Sequence, residues 1–327
     1  MADYKTIKGT KIQNYTTDPD NPLTGQVWYN ETDQVLKVNT GPLVTAWATG
    51  GDLNTARYSL AGAGTQTAAL GFGGFGSLGR TGETESYNGT SWTEVNDLNT
   101  VRNGLAGAGT QTSALGFGGT NTAAPPFQQI VTESWNGTSW TEVNDLTTAR
   151  TALAGAGIQT AALAFGGKTP PSVGNTESWN GTSWTEVNDL NTVRGGLAGC
   201  GTQTAALAVG GEGPPRYTNT ESWNGTSWTE VNDLNIARVD LAGCGIQTAA
   251  LATGGEINPA DGGGNTALTE SWNGTSWTEV NDLNIARKFL AAAGTNTLAI
   301  AFGGSSPYIA STEEWGETGG NRTIGSS

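Results

Sequence analysis

The sequence predicts an all-β fold assembled from copies of one small sheet, and three features point to it. The first is a repeated string. SWNGTSWTEVNDL occurs four times, starting at Ser134, Ser178, Ser222 and Ser271, with the variant SYNGTSWTEVNDL at Ser86. The second is a string of the type LAGAGTQTAALAFGG, whose Gly-Gly pairs end at Gly74, Gly119, Gly167, Gly211, Gly255 and Gly304. Arg57, Arg102, Arg150, Arg194, Arg238 and Arg287 return at the same intervals of 45, 48, 44, 44 and 49 residues. The third is composition. Among 327 residues there are 50 Gly and 12 Trp but only 13% charged residues, which is rich in turns yet too aromatic for a disordered chain.

Units of this length match propeller blades, for which about 40 to 50 residues is usual. The unit Asp145–Val187 shows the expected strands. Ala152–Ile158 is a first strand rich in Ala and Gly, and Thr160–Phe165 is a second that stops at Gly166-Gly167. A variable loop leads to a third, Thr176–Trp179, and a fourth, Ser183–Val187. Asn180-Gly181 between them suggests a type I′ hairpin turn, in which both central residues take positive φ. Small residues suit an innermost strand because such strands converge on an axis; the Trp residues fall on the outer strands.

The last unit supplies three strands, to Glu314-Trp315, and its missing fourth is found in Val44-Thr45-Ala46-Trp47. Closure by that N-terminal strand would remove two open sheet edges. It also gives six outer-strand Trp (47, 92, 140, 184, 228, 277) and five third-strand Trp with Tyr87 as the sixth, leaving Trp28 outside. The expected organisation is an N-terminal arm at 1–42, a six-bladed propeller at 43–316 and a tail at 317–327.

The unit resembles the kelch repeat: a Gly-Gly doublet, then Glu two residues before an aromatic residue, then Trp. In the third unit these are Gly166-Gly167, Glu177, Trp179 and Trp184. The resemblance covers residues 43 to 316 and departs from the family in a shorter hairpin, Asn-Gly-Thr-Ser, between the two aromatics. It implies a propeller whose inter-blade linkers and second-to-third-strand loops bind partner segments. The six arginines sit at that linker position and are candidate binding residues, weighed against an Arg–Glu or Arg–carbonyl network between blades. The loops add Phe75, Phe127, Arg216, Tyr217 and Tyr308, the aromatic and Arg types that interface hot spots favour.

Several chemistries are excluded. Without histidine there is no Ser-His-Asp triad, Cys-His dyad or imidazole ligand. A net charge of −14 argues against nucleic acid as partner. No apolar run reaches the roughly 18 to 20 residues of a membrane span, so no membrane insertion is expected. The N-terminus has no apolar stretch of the secretory type. The Asn-Gly-Thr triplets match a glycosylation pattern, but the hairpin explains them. Cys200 and Cys244 stand where other units have Ala, which suits small-residue packing, with a cross-blade disulfide as the lesser alternative. Asp18-Pro-Asp-Asn and Asp261-Gly-Gly-Gly lack the spacing of a calcium loop. No metal or cofactor is expected, nor catalysis by the six repeated Glu (85, 133, 177, 221, 270, 313), because an enzyme needs one asymmetric constellation.

The stretch Gly25–Lys37, with Pro22-x-x-Gly25-x-x-Trp28-Tyr29-Asn30-x-Thr32 at its core, is similar to a short module near the front of tailed-phage virion proteins, especially appendage and fibre proteins of marine phages. That resemblance implies location in the virion and attachment to other virion proteins through the arm, with Trp28 and Tyr29 as candidate attachment residues. The sequence expectation is a non-enzymatic phage virion structural or tail-fibre protein whose propeller binds a host surface protein or glycan for host attachment. The alternatives are a glycan-degrading depolymerase and an intracellular kelch adaptor. A homo-oligomer stays open, as no coiled coil or trimer seam is visible.

Overall fold

The computed structural model describes residues 12–20, 22–39, 44–121, 127–213, 216–259, 262–305, 307–318 and 321–323. The repeat becomes six four-stranded antiparallel sheets, blades I to VI. In blade III the strands are Ala154–Ile158, Ala161–Phe165, Thr176–Trp179 and Trp184–Val187, hydrogen-bonded in that order. Blade VI comprises Ala291–Gly294, Ala299–Phe302, Thr312–Thr318 and, as its fourth strand, Val44–Thr49. The predicted closure by an N-terminal strand is therefore present. The chain is a β-propeller.

Its core lies between blades. Phe117 of blade II packs on Trp184 of blade III, ring centroids 4.9 Å apart, and Phe165 repeats this with Trp228. Such pairs need close approach of the inner strands. A Cβ on Gly155 would lie 2.8 Å from the carbonyl oxygen of Gly107 in the preceding blade, which only glycine avoids. Each outer Trp donates its indole N–H to the Thr that opens the third strand one blade back. Trp184 reaches Thr132 Oγ1 at 3.0 Å, and the closing strand does the same from Trp47 to Thr269 at 3.1 Å. The ring is completed by Trp92 on Thr312 at 2.9 Å. Buried indole N–H groups require an acceptor, and the Thr places one on every blade.

The outer hairpins differ from the expected turn. Trp179 pairs directly with Trp184, so the loop has four residues, and of Asn180 and Gly181 only the glycine has positive φ, 90°. The reason is the asparagine side chain. Its Oδ1 accepts from the backbone N–H of Thr182 and of Ser183, each at 2.9 Å, and this side-chain turn replaces a backbone type I′ turn. The first strand of blade III also begins two residues later than predicted, because Ala152 has φ +51° and belongs to a different structure described below.

Both chain ends form a second compact unit, Met1–Ala46 with Glu317–Ser327. Gln13–Tyr15 pairs in parallel with Val27–Asn30, which pairs with Val35–Asn39, which pairs with Asn321–Thr323. The tail, kept apart in the sequence reading, thus supplies a strand to the N-terminal sheet. Trp28 is its buried anchor. Asp18 Oδ1 accepts from Trp28 Nε1 at 3.2 Å and from Asn30 Nδ2 at 2.8 Å, and Lys37 Nζ lies 3.1 Å away. Partial burial would raise the Asp18 carboxyl, but these donors outweigh it and hold it below its usual value.

Candidate functional site

The six arginines face inward, not outward. Each side chain is 0% exposed, which corrects the expectation that they form a binding ring. Arg150 Nη2 meets Glu177 Oε1 at 3.0 Å, and Nη1 donates to the carbonyls of Gly166 and Asn175 in the same blade. Arg57, Arg102, Arg194, Arg238 and Arg287 pair likewise with Glu85, Glu133, Glu221, Glu270 and Glu313. Each carboxylate also accepts from the linker that enters its blade, as Glu177 does from Thr147 N at 2.7 Å. The pair thus pins the linker and the second-to-third-strand loop to one blade. Burial pulls the guanidinium of Arg102 down to about 10, against the pull of Glu133, so it stays charged at neutral pH.

What the arginines place is more informative than what they touch. The residue two beyond each one takes positive φ: Ser59, Gly104, Ala152, Gly196, Asp240 and Phe289. In this conformation each donates its backbone N–H to the carbonyl of its counterpart in the preceding blade: Gly104 to Ser59, Ala152 to Gly104, Gly196 to Ala152, Asp240 to Gly196, Phe289 to Asp240, and Ser59 to Phe289. All six bonds measure 2.7 to 2.8 Å. They form a closed girdle, and the backbone alone makes it, so the side chains there are free to differ.

The girdle edges a funnel of about 400 Å³, within the usual range of small-ligand sites, about 300 to 1,000 Å³. Six leucines, Leu60, Leu105, Leu153, Leu197, Leu241 and Leu290, line its depth. The variable loops surround the same mouth, because the residue after each Gly-Gly doublet pairs with the residue after each Arg. These pairs are Tyr58 with Phe75, Asn103 with Thr120, Thr151 with Lys168, Gly195 with Glu212, Val239 with Glu256, and Lys288 with Ser305. No two blades present the same pair.

Blades I and VI make an aromatic wall. Tyr58 packs on Phe75 at 5.4 Å, on Phe289 at 5.7 Å and on Tyr308 at 5.7 Å, and Arg80 stands 5.8 Å over Phe75. The candidates Phe75 and Tyr308 therefore join one cluster, with Tyr308 39% exposed. Blades III to VI make a charged wall. Lys168 pairs with Glu212, and Glu256 receives both Lys288 and Arg216. Arg216 is thus a strap from the loop of blade IV to blade V, also donating to the carbonyl of Ile257. Tyr217 is half-buried and covers Gly213. Phe127 is 49% exposed on the blade II loop. Its neighbours Pro125 and Pro126, like Pro214 and Pro215, lie outside the described residues.

Sequence reasoning missed Tyr58, Asp240, Lys288 and Phe289. The signal was available: the positions one and two beyond each Arg are the ones at which the repeat fails beside the loops. In the N-terminal unit, Trp28 is 0% exposed and tied to Asp18, so its candidacy as an attachment residue is corrected; Tyr29 is half-buried. Cys200 and Cys244 are free and buried, and burial raises both thiols. Among the described residues no cluster of metal-ligating side chains occurs, and no helix is long and apolar enough to cross a membrane.

No protein-family model and no curated protein matches the chain. Among solved structures it is similar to one described as the structure of YjhT, with a TM-score of 0.66 at 12% sequence identity, covering 80% of this chain and 95% of that one. At that identity the likeness bears on the fold, a β-propeller.

Proposed function

We propose that the protein is a non-enzymatic virion component of a tailed phage, whose propeller displays the funnel mouth and its loops as a host-binding face. One observation carries the binding role. The six blades are near-copies in their inner strands, Arg–Glu pairs and Trp–Thr bonds, yet every blade differs at the mouth. A scaffold that holds six backbones alike while presenting six different side-chain sets suits recognition of one asymmetric partner. The virion setting rests on the resemblance of Gly25–Lys37 to phage appendage modules. In this reading the N-terminal unit joins the protein to other virion proteins, and a host surface protein or glycan meets the mouth.

Mass spectrometry of purified particles tests the setting. The chain should be present at a fixed ratio to the major structural proteins; its absence from particles would overturn the virion reading. The binding role has its own test. Isolated propeller should bind host cells, and Tyr308→Ala with Phe127→Ala should reduce that binding while leaving the fold intact. Binding unchanged by both substitutions would move recognition to another surface.

A further inference from the structure

Among the described residues of the funnel, one charged side chain has neither a hydrogen bond nor an ion pair. Lys168, Lys288 and Arg216 are each held by a carboxylate, whereas the side chain of Asp240 makes no hydrogen bond or ion pair among the described residues. Its Oδ1 leans across the neighbouring link of the girdle, where a Cβ on Gly196 would come within 2.6 Å. Next to it in the girdle is Phe289, whose ring stands in the aromatic cluster with Tyr58 and carries Lys288 Nζ 5.1 Å from its centroid. Below lie the six leucines.

These features select a ligand. A leucine-lined depth accepts an aliphatic body. A carboxylate at the rim that no side chain hydrogen-bonds accepts a cation through a charge-assisted hydrogen bond. The acidic protein as a whole, at −14, draws cations toward it. We infer that the funnel binds a primary alkylammonium group, its carbon chain on the leucines and its nitrogen on Asp240, as supplied by a lysine side chain of a partner or by a free aliphatic amine.

The inference deepens the reading of the mouth as a binding face, yet its test needs neither host nor particle. The groups facing Asp240 are Lys168 and Lys288, which favour its ionised form, and Glu212 and Glu256, which oppose it. Burial dominates and pushes its carboxyl up to about 7, so an ammonium ligand, which prefers the ionised form, should bind more tightly as pH rises through that value.

The full chain, labelled for amide NMR, is titrated with 1-aminopentane and with 1-pentanol. We expect saturable shifts at Asp240, Phe289 and Gly196 with the amine only, weaker at pH 5.5 than at pH 8. Asp240→Asn should weaken the amine roughly tenfold or more. Equal binding of the alcohol, or an affinity unmoved by Asp240→Asn in a variant whose spectrum remains folded, would overturn the assignment. Nα-acetyl-lysine methylamide in a third arm separates the sources. Tighter binding than 1-aminopentane points to a partner's lysine, and equal binding points to a free amine.

Discussion

The outer hairpins and the funnel mouth are products of the same repeat, but only the hairpins keep it. Asn-Gly-Thr-Ser recurs unchanged in blades I to V, because the Asn side chain itself makes the turn and a residue without that acceptor would lose it. At the mouth the girdle is made by main-chain atoms, so Ser, Gly, Ala, Asp and Phe all serve. The contrast teaches where a copied unit can diverge. Side chains that build structure are fixed by it, and side chains standing on a backbone-built ring are released for recognition.

Substitutions at the two kinds of position should differ in both size and sign. The largest effect is expected from Glu177→Gln, which leaves the Arg150 guanidinium buried against a neutral amide; a loss of about 3 to 5 kcal/mol in denaturant unfolding is predicted. Thr132→Val, by removing the acceptor of Trp184 Nε1, should cost about 1 to 3 kcal/mol. Asn180→Ala removes two turn bonds on an exposed rim, and about 0.5 to 1.5 kcal/mol is expected. Asp240→Asn should go the other way. The folded-state carboxyl lies near 7, above its unfolded value of about 3.9, so the protein loses stability as pH rises from about 4 through 7. The variant lacks that loss, and should be the more stable at pH 8 with no difference at pH 3.5, read from melting curves at the two pH values. A stabilised Glu177→Gln would erase the distinction between frame and mouth.

Much of the frame was legible because it is written six times. The Gly-Gly doublets, the Glu before each third-strand aromatic and the outer Trp located every blade, and the lone surplus strand at Val44 located the closure. The arginines show the limit of that legibility. Their spacing identified their place in the chain, but whether the guanidinium turned toward solvent or toward Glu177 and the Gly166 carbonyl depended on packing that spacing does not encode. Trp28 is the same case, since only the sheet that gathers Asp18, Asn30 and Lys37 around it shows that it is an anchor. Asp240 was hidden for the opposite reason. It repeats nowhere, and its significance arises from the five other residues that share its girdle.

The claim that recognition belongs to the mouth is tested most directly by hydroxyl-radical footprinting of the protein free and bound to host cells. The account predicts protection of Tyr58, Phe127, Phe289 and Tyr308, with Asn180–Ser183 and the equivalent hairpins unchanged. Protection of the hairpins with a mouth as reactive as in the free protein would contradict it.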